Sequence, residues 1–140
     1  MGRIIYLLDT NILSEPARLN PNVNVMQGFA RHDGQFATAA NVWHELVYGC
    51  ALSPFSKRKS LLQSYLATLM DNGLIILPYE QLAAEWLGRQ RASLQAQGKT
   101  AAYADGEIAA VAVVNKLVLV TRNTDDFQNF DDLMLENWFA

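Results

Sequence analysis

A chain of 140 residues, 51% hydrophobic and 18% charged, has the make-up of one compact domain spanning 1–140; it is neither a disordered polymer nor a protein built on bilayer-length helices. Its apolar runs have strand length, well short of the ~20 residues of a membrane helix, and no basic segment leads into a signal-type stretch, so a soluble cytoplasmic protein without membrane contact is expected. The net charge of −3 argues at first sight against a polyanionic partner, and the single cysteine, Cys50 in "VYGCAL", excludes an internal disulfide or a thiolate zinc site and reads as packing.

In chain order, "RIIYLLD" reads as a buried strand that stops at Asp9, and "ILSEPARL" as a short helix cut by Pro16. A second helical segment lies in "NPNVNVMQGFARHDG", followed by a short strand, "QFATAA". Asn41 is placed to cap the helix "VWHELVYGCAL", whose Val42, Leu46 and Gly49 or Cys50 share a face. After a turn at Ser53 and Pro54 comes a helix with Leu61, Leu62, Tyr65, Leu66 and Leu69 inward, ended by Asp71, Asn72 and Gly73. "LIILP" is a third strand. The amphipathic helix "EQLAAEWLGRQRASLQAQG" turns Leu82, Trp86 and Leu94 inward and closes at Gly98. A helix over 104–116 carries Ile108, Val111, Ala112 and Asn115 at helical spacing, and "LVLVT" is a fourth strand. Strands alternating with helices predict an α/β fold with a parallel sheet covered on both faces.

In such sheets ligands bind beyond the carboxyl ends of the strands. Asp9 ends the first strand, Glu45 sits early in the helix after the second, Asp105 opens a helix, and Asp125 and Asp126 follow the fourth strand. Four carboxylates distant in sequence, Asp9, Glu45, Asp105 and Asp126, therefore meet on one rim. Two carboxylates ~5 Å apart repel by about 3 kcal/mol at an effective dielectric of 20, so protons or cations must accompany them. Oxygen donors select Mg²⁺ or Mn²⁺, since His32 and His44 are isolated and no cysteine cluster exists. Set those four of the fourteen acids aside and ten remain against eleven Lys and Arg, so the mild acidity is no bar to a polyanion. Three of these acids also have a plainer reading: Asp9 as a turn former or cap, Glu45 as a solvated charge, Asp105 as a helix cap.

Four motifs, "LLDTNILSE", "ATAANVWHELVYG", "ADGEIAAVA" and "LVLVTRNTDDF", resemble in order and spacing the four acidic motifs of PIN-domain ribonucleases, above all the toxins of VapBC-type and FitAB-type toxin–antitoxin systems. The resemblance covers nearly the whole chain. It implies an α/β/α sandwich with a parallel sheet in the order 3-2-1-4-5 and a metal-dependent endoribonuclease, with the acids mapping to Asp9, Glu45, Asp105 and Asp126. Asp125, beside the last of these, shares its motif. Thr10 and Asn11 match the polar pair that braces the first acid, while Thr121 and Asn123 match positions lining the same pocket. The family's proline before the third motif is replaced in "TAAYAD", which touches no ligand, and "LENWFA" matches a last short strand and tail.

The chemistry expected of such a site is phosphodiester hydrolysis, with metal on Asp9, Asp105 and Asp126, Glu45 as ligand or water-orienting base, and in-line attack leaving a 5′-phosphate and a 3′-hydroxyl. Arg89, Arg91, Lys99 and Arg122 are candidates for backbone phosphate contacts. A phosphoacceptor receiver domain would want an acidic pair after strand one and a lysine after the last strand, and neither is present. A metal-free scaffold that only binds partners and a DNA nuclease of similar chemistry are the other readings. The apolar surplus on the helices holding Trp43, Tyr48, Phe55 and Tyr65 predicts a homodimer and an inhibitory partner. The resemblance implies that this partner is a cognate antitoxin, laying a tail that carries an arginine across the acidic pocket, and that DNA is met only through it.

Overall fold

The computed structural model describes residues 3–140. Five strands form one parallel sheet in the order β3-β2-β1-β4-β5, as the resemblance implies. They are β1 (Tyr6–Leu8), β2 (Phe36–Ala39), β3 (Ile75–Leu77), β4 (Val118–Val120) and β5 (Met134–Glu136). Leu7, Leu8, Ala37, Ala39, Leu119 and Val120 are fully buried, as central parallel strands covered on both faces require. The register sets Leu8 beside Thr38 and Val120, so β1 and β4 end level and β2 runs one residue further.

Six helices connect the strands: α1 (Thr10–Leu13), α2 (Val23–Arg31), α3 (Ala40–Leu52), α4 (Lys57–Asp71), α5 (Gln81–Ala96) and α6 (Tyr103–Val114). Pro16 does not cut one helix; α1 ends at Leu13 and a separate 3-10 turn, Glu15–Ala17, carries the proline at its start. Within that turn Glu15 is buried, accepting the Asn22 N–H at 2.8 Å and pairing with Arg18 at 3.8 Å. Ser56 and Asn22, rather than Asn41, supply side-chain caps, for α4 and α2. Asn41 lies inside the first turn of α3, whose cap position is Ala39, and its amide oxygen and nitrogen are buried without a hydrogen-bond partner.

Cys50, not Gly49, completes the buried face of α3 with Val42 and Leu46. In α4 the inward set shrinks to Leu66, with Leu62, Tyr65 and Leu69 half-buried and Leu61 exposed. The face of α5 is Ala83, Leu87 and Leu94; Leu82 is 68% exposed, a correction to its placement in the core. The reason is angular: 83, 87 and 94 stack at i, i+4 and i+11, and Leu82 points about 100° away from Ala83. Helix α6 is buried almost all round, from Gly106 through Ala112, because α5 packs along it; at Gly106 an added Cβ would stand 2.7 Å from a Leu87 methyl. Asn115, at helical spacing with these residues, is the exposed C-cap of the helix. Gly73 (φ 80°) and Gly98 (φ 73°) leave α4 and α5 in the left-handed conformation that glycine adopts without strain.

Candidate active site

Strand order reverses between β1, which continues through β2 to β3, and β4, which leads to β5, so the crevice at their carboxyl ends is where such sheets hold ligands. Asp9 is the first residue past β1, and its N–H still joins the sheet by donating to the Val120 carbonyl at 2.9 Å. Thr121, the first residue past β4, donates its own N–H to the Glu136 carbonyl at 2.9 Å. The two side chains meet across the crevice. Thr121 Oγ1 donates to Asp9 Oδ2 at 2.8 Å, and the Thr10 backbone N–H donates to Asp9 Oδ1 at 2.7 Å. Asp9 is thus a helix cap and a fixed carboxylate at once.

A second layer holds that arrangement. The Asn123 N–H donates to Thr121 Oγ1 at 3.1 Å, which leaves the hydroxyl hydrogen for Asp9, and Asn11 Oδ1 accepts the Arg122 N–H at 3.1 Å. Asn11 therefore braces the loop after β4 and not the carboxylate itself; Thr10 braces Asp9 through its backbone, and the side-chain brace is Thr121. Thr38, fully buried on β2, donates to the Leu8 carbonyl at 2.8 Å and fixes the end of β1 from the other side.

Asp105 enters the crevice from the first turn of α6, and Asp126 from a 3-10 turn, Thr124–Asp126, after β4. Burial pushes the Asp9 carboxyl above the ordinary carboxylate value; the Thr121 and Thr10 hydrogen bonds pull it back, and the Asp126 charge pushes it up again. Asp105 is raised by burial first, then by the charges of Asp9 and Asp126. The Asp126 charge thus acts on both Asp9 and Asp105, and the Asp9 charge on Asp105. Asp126, not Asp125, is the member of the adjacent pair whose charge reaches the other two. Glu45 is exposed on α3 and is not among the charges that shift Asp9 or Asp105. Among the described residues no three His, Cys, Asp or Glu side chains converge on one point at metal-ligand range.

The four cations expected to touch phosphate are all exposed. Arg89 lies on α5 and Lys99 just after it, while Arg91 and Arg122 each lie over an aromatic ring, Tyr103 at 4.1 Å and Phe139 at 4.4 Å from guanidinium carbon to centroid. Neither ring was evident as a site residue from sequence, because each sits beside its arginine only after α5 meets α6 and the C-terminal tail folds back.

Several comparisons bear on this crevice. The chain matches the PIN domain family over residues 6–133. It is 34% identical to "Toxin FitB" of Neisseria gonorrhoeae, over 96% of this chain and 99% of that protein. It is 31% identical to "Ribonuclease VapC2" of Haemophilus influenzae, over 95% and 97% of the two. Among solved structures, VapBC2 from Rickettsia felis bound to a DNA fragment from its promoter superposes with a TM-score of 0.81 at 28% identity, covering 96% of this chain and 99% of that one. A family match across most of the chain, together with a parallel sheet of order 3-2-1-4-5 whose switch point carries Asp9, places this chain in the PIN domain family.

Proposed function

We propose that the protein is the toxin of a type II toxin–antitoxin system, a divalent-metal endoribonuclease held in check by a cognate antitoxin. The carrying observation is Asp9, held just past β1 at the switch point of the sheet by the Thr121 hydroxyl and the Thr10 N–H, with the charge of Asp126 raising the proton affinity of both Asp9 and Asp105. The relatives named as ribonuclease and toxin support the reaction class. The DNA-bound VapBC2 structure supports a partner through which DNA is met.

The donor set fits Mg²⁺ or Mn²⁺, being all carboxylate oxygen, although the three acids stand further apart than a ligand shell. Asp9, Asp105 and Asp126 would hold such an ion, which neutralises their repulsion and supplies the Lewis acidity that phosphodiester cleavage calls for. The rest falls to the chain's own residues. Thr121 and the Thr10 N–H fix Asp9 in one orientation. Glu45, exposed on α3, lies outside that group, and the attacking water gives its proton to a site carboxylate or to solvent. Attack in line with the departing 3′ oxygen leaves a 5′-phosphate and a 3′-hydroxyl.

The test is RNA cleavage by the purified protein with Mg²⁺ or Mn²⁺, against EDTA and against Asp105→Asn, which keeps volume and removes charge. Loss of cleavage in both controls is expected. Undiminished cleavage by Asp105→Asn, or in EDTA, overturns the reading.

A further inference from the structure

The two arginine–aromatic pairs share a pattern. Each is tied to an element that carries a site acid. Tyr103 opens α6, whose first turn holds Asp105, and although it is 63% exposed its ring is covered by the Arg91 guanidinium from α5. Arg122 directly follows Thr121, the residue bonded to Asp9, and its own N–H is held by Asn11. Phe139, under Arg122, is itself anchored: its N–H donates to Asn137 Oδ1 at 2.9 Å and its carbonyl accepts Asn24 Nδ2 at 3.3 Å. The neighbouring Trp138 is wedged against Gly28, where an added Cβ would stand 2.7 Å from the indole. Among the described residues the one ion pair is Arg18 with Glu15, so neither Arg91 nor Arg122 spends its charge on a carboxylate.

An exposed arginine laid on a ring gives up little further freedom on binding, and it keeps its N–H edges free for phosphate and a planar face free for a base. Such platforms matter beside three mutually repelling acids, which by themselves drive a polyanion away. The Arg122–Phe139 pair is the more firmly built of the two, since Arg122 is held at its N–H by Asn11 and Phe139 at both its N–H and its carbonyl. We infer that the Arg122–Phe139 and Arg91–Tyr103 pairs are two platforms for single-stranded RNA, gripping the backbone and stacking unpaired bases next in the chain to residues of the acidic site.

This inference rests on the ribonuclease reading, and its test separates the two. In an Asp105→Asn background, binding of a fluorescein-labelled oligouridine and of an RNA duplex is measured by anisotropy across a salt series. Phe139→Leu and Tyr103→Leu keep every charge and should each weaken oligouridine binding about fivefold or more, with duplex binding weaker throughout. Arg122→Gln should also flatten the salt dependence by about 0.7 in the log–log slope, the loss of one single-strand phosphate contact. Melting curves accompany each variant, and Tyr103→Leu and Arg122→Gln, at exposed positions, decide the matter if Phe139→Leu unfolds. Binding of both ring variants within twofold of the parent, equal affinity for duplex, or no oligouridine binding by the parent overturns the inference while leaving an inactive Asp105→Asn intact. An Asp105→Asn protein that cuts RNA like wild type overturns the ribonuclease reading instead.

Discussion

The Thr121 hydroxyl and the Asp9 carboxylate, 112 residues apart in sequence, are joined by a buried 2.8 Å hydrogen bond across the point where the strand order reverses. Because Thr121 Oγ1 also accepts the Asn123 N–H, the position of the carboxylate and the path of the Asp126-bearing turn are set by the same atom. Replacing Thr121 with valine keeps its shape and removes both bonds. The expected result is a loss of about 1 to 3 kcal/mol in urea unfolding, the usual effect of stranding a buried acceptor, with a fall in cleavage. Thr121→Ser should restore both. A valine variant as stable and active as wild type would show that the bond does not hold the site.

The adjacent pair Asp125 and Asp126 separates by environment. Only the Asp126 charge reaches Asp9 and Asp105. Asp126→Asn should abolish cleavage, and Asp125→Asn should change it by less than about threefold, or roughly 0.7 kcal/mol. Equal losses in a cleavage assay would reverse or dissolve the assignment.

Asp105 carries a linked prediction in pH. Its folded proton affinity is raised above the ordinary value of 3.8 by burial, Asp9 and Asp126, so its charge destabilises the fold at neutral pH. That penalty disappears as pH falls through the raised value toward 3.8 and the group takes up its proton. In EDTA at neutral pH, Asp105→Asn should therefore melt above wild type, and the gap should close on acidification. Added Mg²⁺ should narrow the gap as well, by stabilising wild type alone. Thermal scans at several pH values check this; a gap that widens toward acid contradicts the sign.

Gly28 is required by space and not by backbone conformation. Its missing Cβ admits the Trp138 indole, which also packs on Tyr6, Phe29 and His32. Gly28→Ala should cost about 1 to 3 kcal/mol, as overpacking of a filled site does, and loosen the tail that carries Phe139. Urea midpoints measure the first effect. Parallel weakening of oligouridine binding measures the second.

Strand-length apolar runs alternating with amphipathic segments were enough for a parallel α/β sheet, since burial on two faces leaves an unbroken apolar run and burial on one leaves a 3.6-residue period. The acids were legible for a related reason: a carboxylate directly after a buried strand, or opening a helix, has its position along the chain fixed by local structure. Weaker periodic signals failed. Leu82 was placed inward when Ala83 holds that face, because a small residue contributes little to an apolar pattern yet allows the closest helix packing. Asn41 was read as a cap from its residue type, although the helix begins a residue earlier.

Sequence alone determined the order of elements and the family the chain resembles, and marked the four acids as candidates, all of which depend on neighbours along the chain. Tertiary structure decided that the Asp126 charge acts on both Asp9 and Asp105, that Thr121 and not Asn11 bonds to Asp9, that Glu45 is exposed on α3, and that Phe139 and Tyr103 lie beneath arginines. Those relations join segments far apart in sequence, and their distances are set by sheet register and helix packing, which no local pattern of residues encodes.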